Sequence, residues 1–275
     1  MKYVEYPFSP LLRPFVNRIW EFEMDVPMGE VIHQPDCCTA TTHFMFNLKP
    51  PFKTKRGDKL IQANATNLIT PLTQPVTNIL EGTHLHIGVE FTLTGFHRMW
   101  QIPLYAINLS DTALYDLQAV IGPEALRLYN QLGEAQTTAQ RFGLTEKFLL
   151  RHINSKPTKA GLVEGFEQLI QQEPESVLID KLIKQLYCSE STLLRHFKEQ
   201  LGISPKTYLR IQRFQRVRNQ LLEKPDWRWQ TGLVNVDYYD QAHFIKEFVA
   251  FSGRSPSSYK NSMNEVEDFF SKCFH

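Results

Sequence analysis

His84, His86 and Glu90 stand at intervals of two and four residues, so on an extended chain all three side chains share one face. Two neutral imidazoles and a carboxylate make half of a metal-ligand set suited to Fe, Ni or Zn, which would turn the segment into a metal sensor or an enzyme. The same triplet arises on the polar face of an antiparallel strand, where every second residue meets water. No second histidine motif accompanies it, so the strand reading is favoured and no metal or other cofactor is expected. The thiols offer less. Cys37 and Cys38 are adjacent while Cys188 and Cys273 stand far apart, with no Cys-x-x-Cys pair and no Cys/His zinc spacing, so reduced thiols are expected. Neither Cys37 nor Cys38 has a recognisable His/Asp partner motif, and no Gly-x-Ser-x-Gly occurs. Catalysis is not suggested.

The elements that must hold these residues are strands. Trp20, Phe22 and Met24 alternate with Glu21 and Glu23; Phe44, Phe46 and Leu48 alternate again, with Met45 interrupting the polar face; and Leu85, Ile87, Val89, Phe91 and Leu93 keep a period of two. Turn-forming clusters such as Lys49-Pro50-Pro51 and Lys55-Arg56-Gly57-Asp58 lie between them. An antiparallel barrel or sandwich is expected. Trp20, Phe22, Phe44 and Phe46 could line a pocket for a small molecule, but large apolar residues in strands more often fill the core. After Gly95 the period becomes helical, over residues 96–100, 123–132 and 137–153. The polar, proline-containing stretch 154–159 is the best domain boundary, and everything beyond it reads as helix, including a tail from Asn264 expected to pack on the body. The expected class is α+β: a β-rich domain over 1–110, a helical connector over 111–156 and an all-helical domain over 157–275.

That last domain contains a repeat at an offset of 51 residues. Phe197, Gly202, Ser204, Pro205 and Tyr208 recur as Phe248, Gly253, Ser255, Pro256 and Tyr259, and upstream Leu182 and Tyr187 recur as Leu233 and Tyr238. Ser189 and Asp240 occupy one repeat position, and both are good helix N-caps. Behind Ser189, Leu193, Phe197 and Leu201 form a buried stripe, which leaves Ser191, Leu194, Arg195 and Lys198 outward. Behind Asp240, Phe244, Phe248 and Phe251 are buried, and Gln241, Ala242, Ile245 and Lys246 face out. Gly202 and Gly253 suit left-handed C-caps, and each is followed by a Ser-Pro that opens the next helix. Shorter amphipathic segments precede both capped helices: Leu178, Leu182 and Ile183 in one copy, Trp229, Leu233 and Val236 in the other. A short helix, a turn and a capped helix with small polar and basic residues outward describe a helix-turn-helix. Arginine to guanine and glutamine to adenine are the natural base contacts of such a helix. His196 and His243 lie on the same helices and read as cap or packing residues. Between the copies, Tyr208, Ile211, Phe214, Val217 and Leu221 repeat with helical spacing, with Arg210, Arg213, Arg216 and Arg218 on other faces. That rod would be about 27 Å long, comparable to the ~34 Å between major-groove segments on one face of DNA.

Charge points the same way. The chain has a formal net charge of +1, yet residues 178–260 hold fourteen basic against eight acidic side chains, a surplus of six, and the remainder is acidic. A polyanion partner is expected for the helical module alone, against the reading of an interaction protein that has lost DNA binding. No apolar run reaches the ~20 residues that span a bilayer. The segment Met1–Pro7 lacks the features of a signal peptide, so a cytoplasmic location and no membrane partner are expected.

With these residues set out, the segment from about Val163 to Lys260 resembles the AraC/XylS family of bacterial regulators. The matching residues are Ser189 to Phe197, Gly202 to Leu209, Arg213 to Arg216, then Tyr238 to Phe244, Phe248 and Gly253 to Tyr259. The resemblance implies a transcription factor, with activation as one mode of control, double-stranded DNA and RNA polymerase as partners and a homodimer as one assembly. It implies DNA contacts from Ser189, Glu190, Ser191, Leu194, Arg195, Lys198, Arg213, Gln241, Ala242, Ile245 and Lys246. Two departures weaken the second copy: Asp237 replaces a usual glycine, and Gly232-Leu233 stands where the family prefers a small alanine. The first half, through Tyr6 to Val16, Pro35 to Cys38 and Gly88 to Phe91, resembles the cupin-like domains that precede this module and that bind small effectors or dimerise.

Overall fold

The computed structural model describes residues 1–107, 113–153, 161–172, 179–223, 240–261 and 265–274. The strands are β1 (Lys2–Glu5), β2 (Val16–Asp25), β3 (Ile32–Asp36), β4 (His43–Asn47), β5 (Lys53–Arg56), β6 (Lys59–Gln62), β7 (Thr66–Ile69), β8 (Val76–Leu80), β9 (Thr83–Phe91) and β10 (Leu114–Asp116). They form two antiparallel sheets, one ordered β1-β2-β9-β4-β7-β10 and the other β3-β8-β5-β6. The sheets face each other as a sandwich. Trp20, Phe22, Met24 and Met45 of the larger sheet meet Phe52 and Leu80 between them.

The larger sheet is covered on its other side as well. Ile19, Phe44, Phe46, Ile87, Val89 and Phe91 pack against α1 (Gly95–Trp100), α2 (Leu117–Ile121), α3 (Glu124–Glu134) and α4 (Thr138–Arg151). Helix α4 begins with a capping box between Thr137 and Gln140. It is tied to β2 by Arg141, whose guanidinium donates to buried Glu21 at 2.7 Å. Strands β2, β4 and β9 are therefore buried on both faces, which corrects the expected water-facing side. His84, His86 and Glu90 all point inward and are buried. Met45 does not interrupt a polar face; it belongs to a second apolar one. The register sets Trp20 opposite Gly88, and a Cβ on Gly88 would lie 2.0 Å from the indole ring, so only glycine admits it there.

The helical half comprises α5 (Leu162–Gln172), α6 (Ile179–Gln185), α7 (Glu190–Leu201), α8 (Pro205–Glu223), α9 (Gln241–Ser252), α10 (Pro256–Asn261) and α11 (Glu265–Phe274). Phe166, Leu193, Phe197, Tyr208, Phe214, Phe244 and Phe248 form its core, and Cys37, Cys38 and Leu93 from the first half join it. The expected boundary at 154–159 and the residues Leu178, Trp229, Gly232, Leu233, Val236, Asp237 and Tyr238 lie outside the described residues.

Candidate nucleic-acid interface and the cavity behind it

The two capped helices α7 and α9 are built by the same local chemistry. Ser189 Oγ accepts the Thr192 amide at 3.2 Å, and Asp240 Oδ1 accepts the His243 amide at 2.7 Å. Each helix ends at a glycine with positive φ, Gly202 at 73° and Gly253 at 75°. Ser204 and Ser255 then cap the following helices through Thr207 and Ser258. Even the packing repeats: Phe197 and Tyr208 lie 5.7 Å apart, Phe248 and Tyr259 5.6 Å. The repeat in sequence is thus a repeat in structure.

Ser189, Glu190, Ser191, Leu194, Arg195 and Lys198 are exposed along one side of α7, and Gln241, Ala242 and Lys246 along one side of α9. The opposite sides carry Leu193, Phe197 and Leu201, and Phe244 and Phe248, all buried. Leu194, 41% exposed, is an apolar side chain that its own helix leaves in water. Between α6 and α7 the turn passes through Tyr187, whose φ of 49° is left-handed and whose side chain is 97% exposed.

Two residues expected outward are engaged by the protein. Ile245 is half-buried and packs on the helical core. Arg213 donates to Glu247 at 2.8 Å, and Arg210 donates to the other oxygen of the same carboxylate at 2.7 Å. Burial would raise the Glu247 carboxyl, but hydrogen bonds from both guanidiniums, with their charges, hold it below the usual range. Sequence reasoning missed Glu247 because its partners lie 34 and 37 residues away. Arg218, expected on an outer face of the connecting helix, is 1% exposed.

Arg218 faces a cavity of about 600 Å³ enclosed between the two sheets and closed by the helical half. Trp20 and Phe22 line it, whereas Phe44 and Phe46 are core on the far side of the sheet. Gln215, Arg218 and Asn219 of α8, Tyr259 of α10 and Phe270 of α11 close the opposite wall. The Phe270 ring centroid lies 4.9 Å from that of Phe22, and Arg254 grips Glu267 through two hydrogen bonds of 2.9 Å, so the tail packs as expected. At this seam the Cys37 thiol donates to the Tyr259 hydroxyl at 3.6 Å and the Cys38 amide to the Phe251 carbonyl at 3.2 Å. Burial pushes both thiols up, which keeps them protonated and unreactive. Asp36 is pushed up to about 6 by burial, with the Arg218 charge acting against that shift.

The histidine–glutamate triplet does not converge on a common point. Glu90 accepts from Arg18 and from Asn17, and His86 Nδ1 pairs with Asn47 Oδ1 at 2.6 Å. Burial, with His84 nearby, lowers His86 to about 3, so its ring is neutral. Among the described residues no group of three or more His, Cys, Asp or Glu side chains is placed to hold a metal ion. Among them, too, no helix is long and apolar enough to cross a membrane.

Comparison with known proteins places this geometry. A helix-turn-helix domain family matches residues 182–262. An uncharacterized HTH-type transcriptional regulator of Haemophilus influenzae is 25% identical over 168 residues, covering 58% of this chain and 55% of that one. The Msm operon regulatory protein of Streptococcus mutans is 28% identical over 122 residues, 44% of each chain. The HTH-type transcriptional regulator MtrA of Neisseria gonorrhoeae is 29% identical over 94 residues, 34% of this chain and 31% of that one. The chain thus spans about half the length, or less, of the curated relatives it matches. Among solved structures, ToxT from Vibrio cholerae O395 aligns with a TM-score of 0.46 at 10% identity, over 88% of this chain and 96% of that one. Residues 182–262 carry a helix-turn-helix domain, and the curated relatives that the chain matches are named as transcriptional regulators.

Proposed function

We propose that this protein is a sequence-specific DNA-binding transcriptional regulator that reads two neighbouring major-groove segments with α7 and α9. One observation carries the reading: both capped helices bury one side completely and leave the other, with its polar and basic side chains, open to solvent. Arg195 has the geometry to donate two hydrogen bonds to a guanine edge, and Gln241 to pair with an adenine. Ser191, Leu194 and Ala242 line the groove contact, and Leu194 and Ala242 suit a thymine methyl. Ser189, Glu190, Lys198 and Lys246 sit where they fix register, the lysines on phosphates. Ile245 and Arg213 support the second helix from behind. Helix α8, 19 residues and about 28 Å long, spaces the two units.

The division into a sensor over 1–110, a connector over 111–156 and a DNA-binding domain over 157–275 belongs to the same proposal, as do control by a small effector, dimerisation and contact with RNA polymerase. The cavity supports effector control, because its walls come from both halves of the chain. Titration of labelled random duplex at a series of salt concentrations tests the central claim. Phosphate neutralisation gives a steep linear fall of log affinity with log salt. A flat salt response, or binding indifferent to Arg195→Ala and to a Gln241→Ala/Lys246→Ala double variant, rules the reading out.

A further inference from the structure

The cavity between the sheets has a chemical character that its residues specify. Its floor is apolar and aromatic, from Trp20, Phe22, Met45, Phe52 and Leu80, with Phe270 arriving from α11. Such a floor gains from burying a ring or chain and offers nothing to an ion.

The charged groups on the wall are engaged with one another. Arg18 is held by Glu90 and also reaches Glu5 at 3.5 Å. Arg218 stands in the field of Asp36, and Glu267 is gripped by Arg254. Arg56 is half-buried and donates to Gln74 at 3.1 Å. The guanidiniums and carboxylates that line the cavity, Arg18, Arg56 and Arg218 against Asp36, Glu90 and Glu267, are equal in number. A ligand carboxylate would have to displace an existing carboxylate or compete with Gln74, and a ligand cation meets the same obstacle in reverse.

One acceptor stands apart. Gln34 is 7% exposed and lines the cavity, and its Nε2 donates to the Pro35 carbonyl at 2.9 Å. That bond fixes the amide orientation and leaves Oε1 as the acceptor, buried and with no hydrogen-bond partner. A carbonyl oxygen in that position takes an O–H or N–H donor.

We infer that the cavity takes an uncharged amphiphile, an apolar ring or chain carrying one hydroxyl or N–H group that donates to Gln34 Oε1. The inference rests on the reading that a small ligand in this cavity controls the DNA-binding half, and it names the class of that ligand. Occupancy would touch β3 through Gln34 and α8 through Gln215 and Asn219, so one molecule would contact both halves of the chain.

Three probes of similar shape separate the terms when titrated calorimetrically into the full chain: 2-naphthol, 2-methoxynaphthalene and 2-naphthoate. At neutral pH the first is neutral with a donor, the second neutral without one, and the third anionic. The expected order is naphthol first, with each of the others weaker by about tenfold or more, the size of effect expected when a buried acceptor goes unmet. Gln34→Leu should abolish the preference for naphthol over its methyl ether, while thermal unfolding checks that the variant is folded. The comparison among the three probes on the unmodified chain needs no variant at all. Naphthoate binding as tightly as naphthol, and losing that affinity in Arg56→Gln, would overturn the inference in favour of an acidic ligand. Equal binding of naphthol and its ether, or no binding of any probe at millimolar concentration, would also overturn it. Random-duplex binding measured on the same samples keeps the two readings apart. Retained DNA binding with no probe bound removes the ligand inference alone, whereas probe binding in the expected order with no affinity for DNA removes the regulator reading.

Discussion

The two helix-turn-helix units are near-copies in their local chemistry and unlike in what holds them. In the first, α7 packs on α5 and leans on α1 and the single helical turn Leu104–Ala106 that follows it. Its core pair Phe197–Tyr208 is completed by Phe166, 5.0 Å from Phe197. In the second, α9 is tied on several sides. Glu247 joins it to Arg210 and Arg213 of α8, the Phe251 carbonyl accepts the Cys38 amide, and Tyr259 reaches Cys37. The repeat position of Glu247 in the first unit is His196, which has no role of this kind. A duplicated unit kept its caps and its aromatic pair while its outer contacts diverged. Both units thus touch the first half by different routes, the first through α1 and the turn Leu104–Ala106, the second through Cys37, Cys38 and the cavity wall.

The largest effect should come from cutting the tie through Glu247. Glu247 is 4% exposed and satisfies two guanidiniums, so Glu247→Ala leaves Arg213 and Arg210 facing a buried gap. Breaking a buried pair from one side costs about 3–5 kcal/mol, and the partial exposure of Arg210 places this one at the lower end. Chemical denaturation should show that loss, while His196→Ala in the first unit should cost far less. Acid should reproduce the effect in the unmodified chain. The folded carboxyl lies below its unfolded value, so its contribution is complete above about pH 4.3 and is lost as pH falls through the folded pKa. An unfolding midpoint in the Glu247→Gln variant with the same acid dependence as the parent would show that this carboxylate does not anchor the unit.

Next come the reading surfaces. Removing a bidentate arginine costs about 1–3 kcal/mol of specific affinity, so Arg195→Ala should weaken binding to a selected operator by roughly tenfold to a hundredfold. By sequence the second copy carries Gly232-Leu233 where the AraC/XylS pattern that it resembles has a small alanine, a departure expected to weaken it. The Gln241→Ala/Lys246→Ala double variant should therefore lose less than Arg195→Ala does. Equal losses, measured by anisotropy at one fixed salt concentration, would place both units on the same footing.

What the sequence made legible divides along the same line. Caps, C-terminal glycines and the Ser-Pro starts are short-range chemistry, and they stand where Ser189, Asp240, Gly202 and Gly253 put them. Polar residues that are buried because of distant partners could not be read this way. Glu21 owes its burial to Arg141, 120 residues on, and Glu90 to Arg18, 72 residues back. An alternating pattern with Glu, His or Met on its second face looks half-exposed unless the opposing sheet is known, and so the cavity escaped notice while Trp20 and Phe22 did not. Arg213 and Ile245 were placed outward for the same reason: helical periodicity gives a face, but not what comes to cover it.

Smaller effects test the local equivalence of the copies. Ser189→Ala and Asp240→Ala each remove a side-chain acceptor from a first-turn amide and should cost about 1 kcal/mol apiece. A cost confined to one of them would mean that the matching geometry is not matched in energy.

The smallest expected change lies in the turn of the first unit. Tyr187 holds a left-handed φ of 49° with its ring in water, so it accepts backbone strain without burying anything in return. Tyr187→Gly relieves that strain but gives the unfolded chain more freedom, and the two terms nearly offset. Stability should shift by no more than about 0.5–1 kcal/mol, toward the variant. DNA binding is the more telling readout. Tyr187 lies two residues before the cap Ser189 with its side chain in water, so under the proposed DNA-binding reading its hydroxyl is placed to reach a phosphate. If Tyr187 is there for contact, Tyr187→Gly weakens binding while Tyr187→Phe separates hydroxyl from ring. If both variants bind like the parent, the tyrosine serves the turn alone, and the first unit reads DNA through α7 without help from the turn before it.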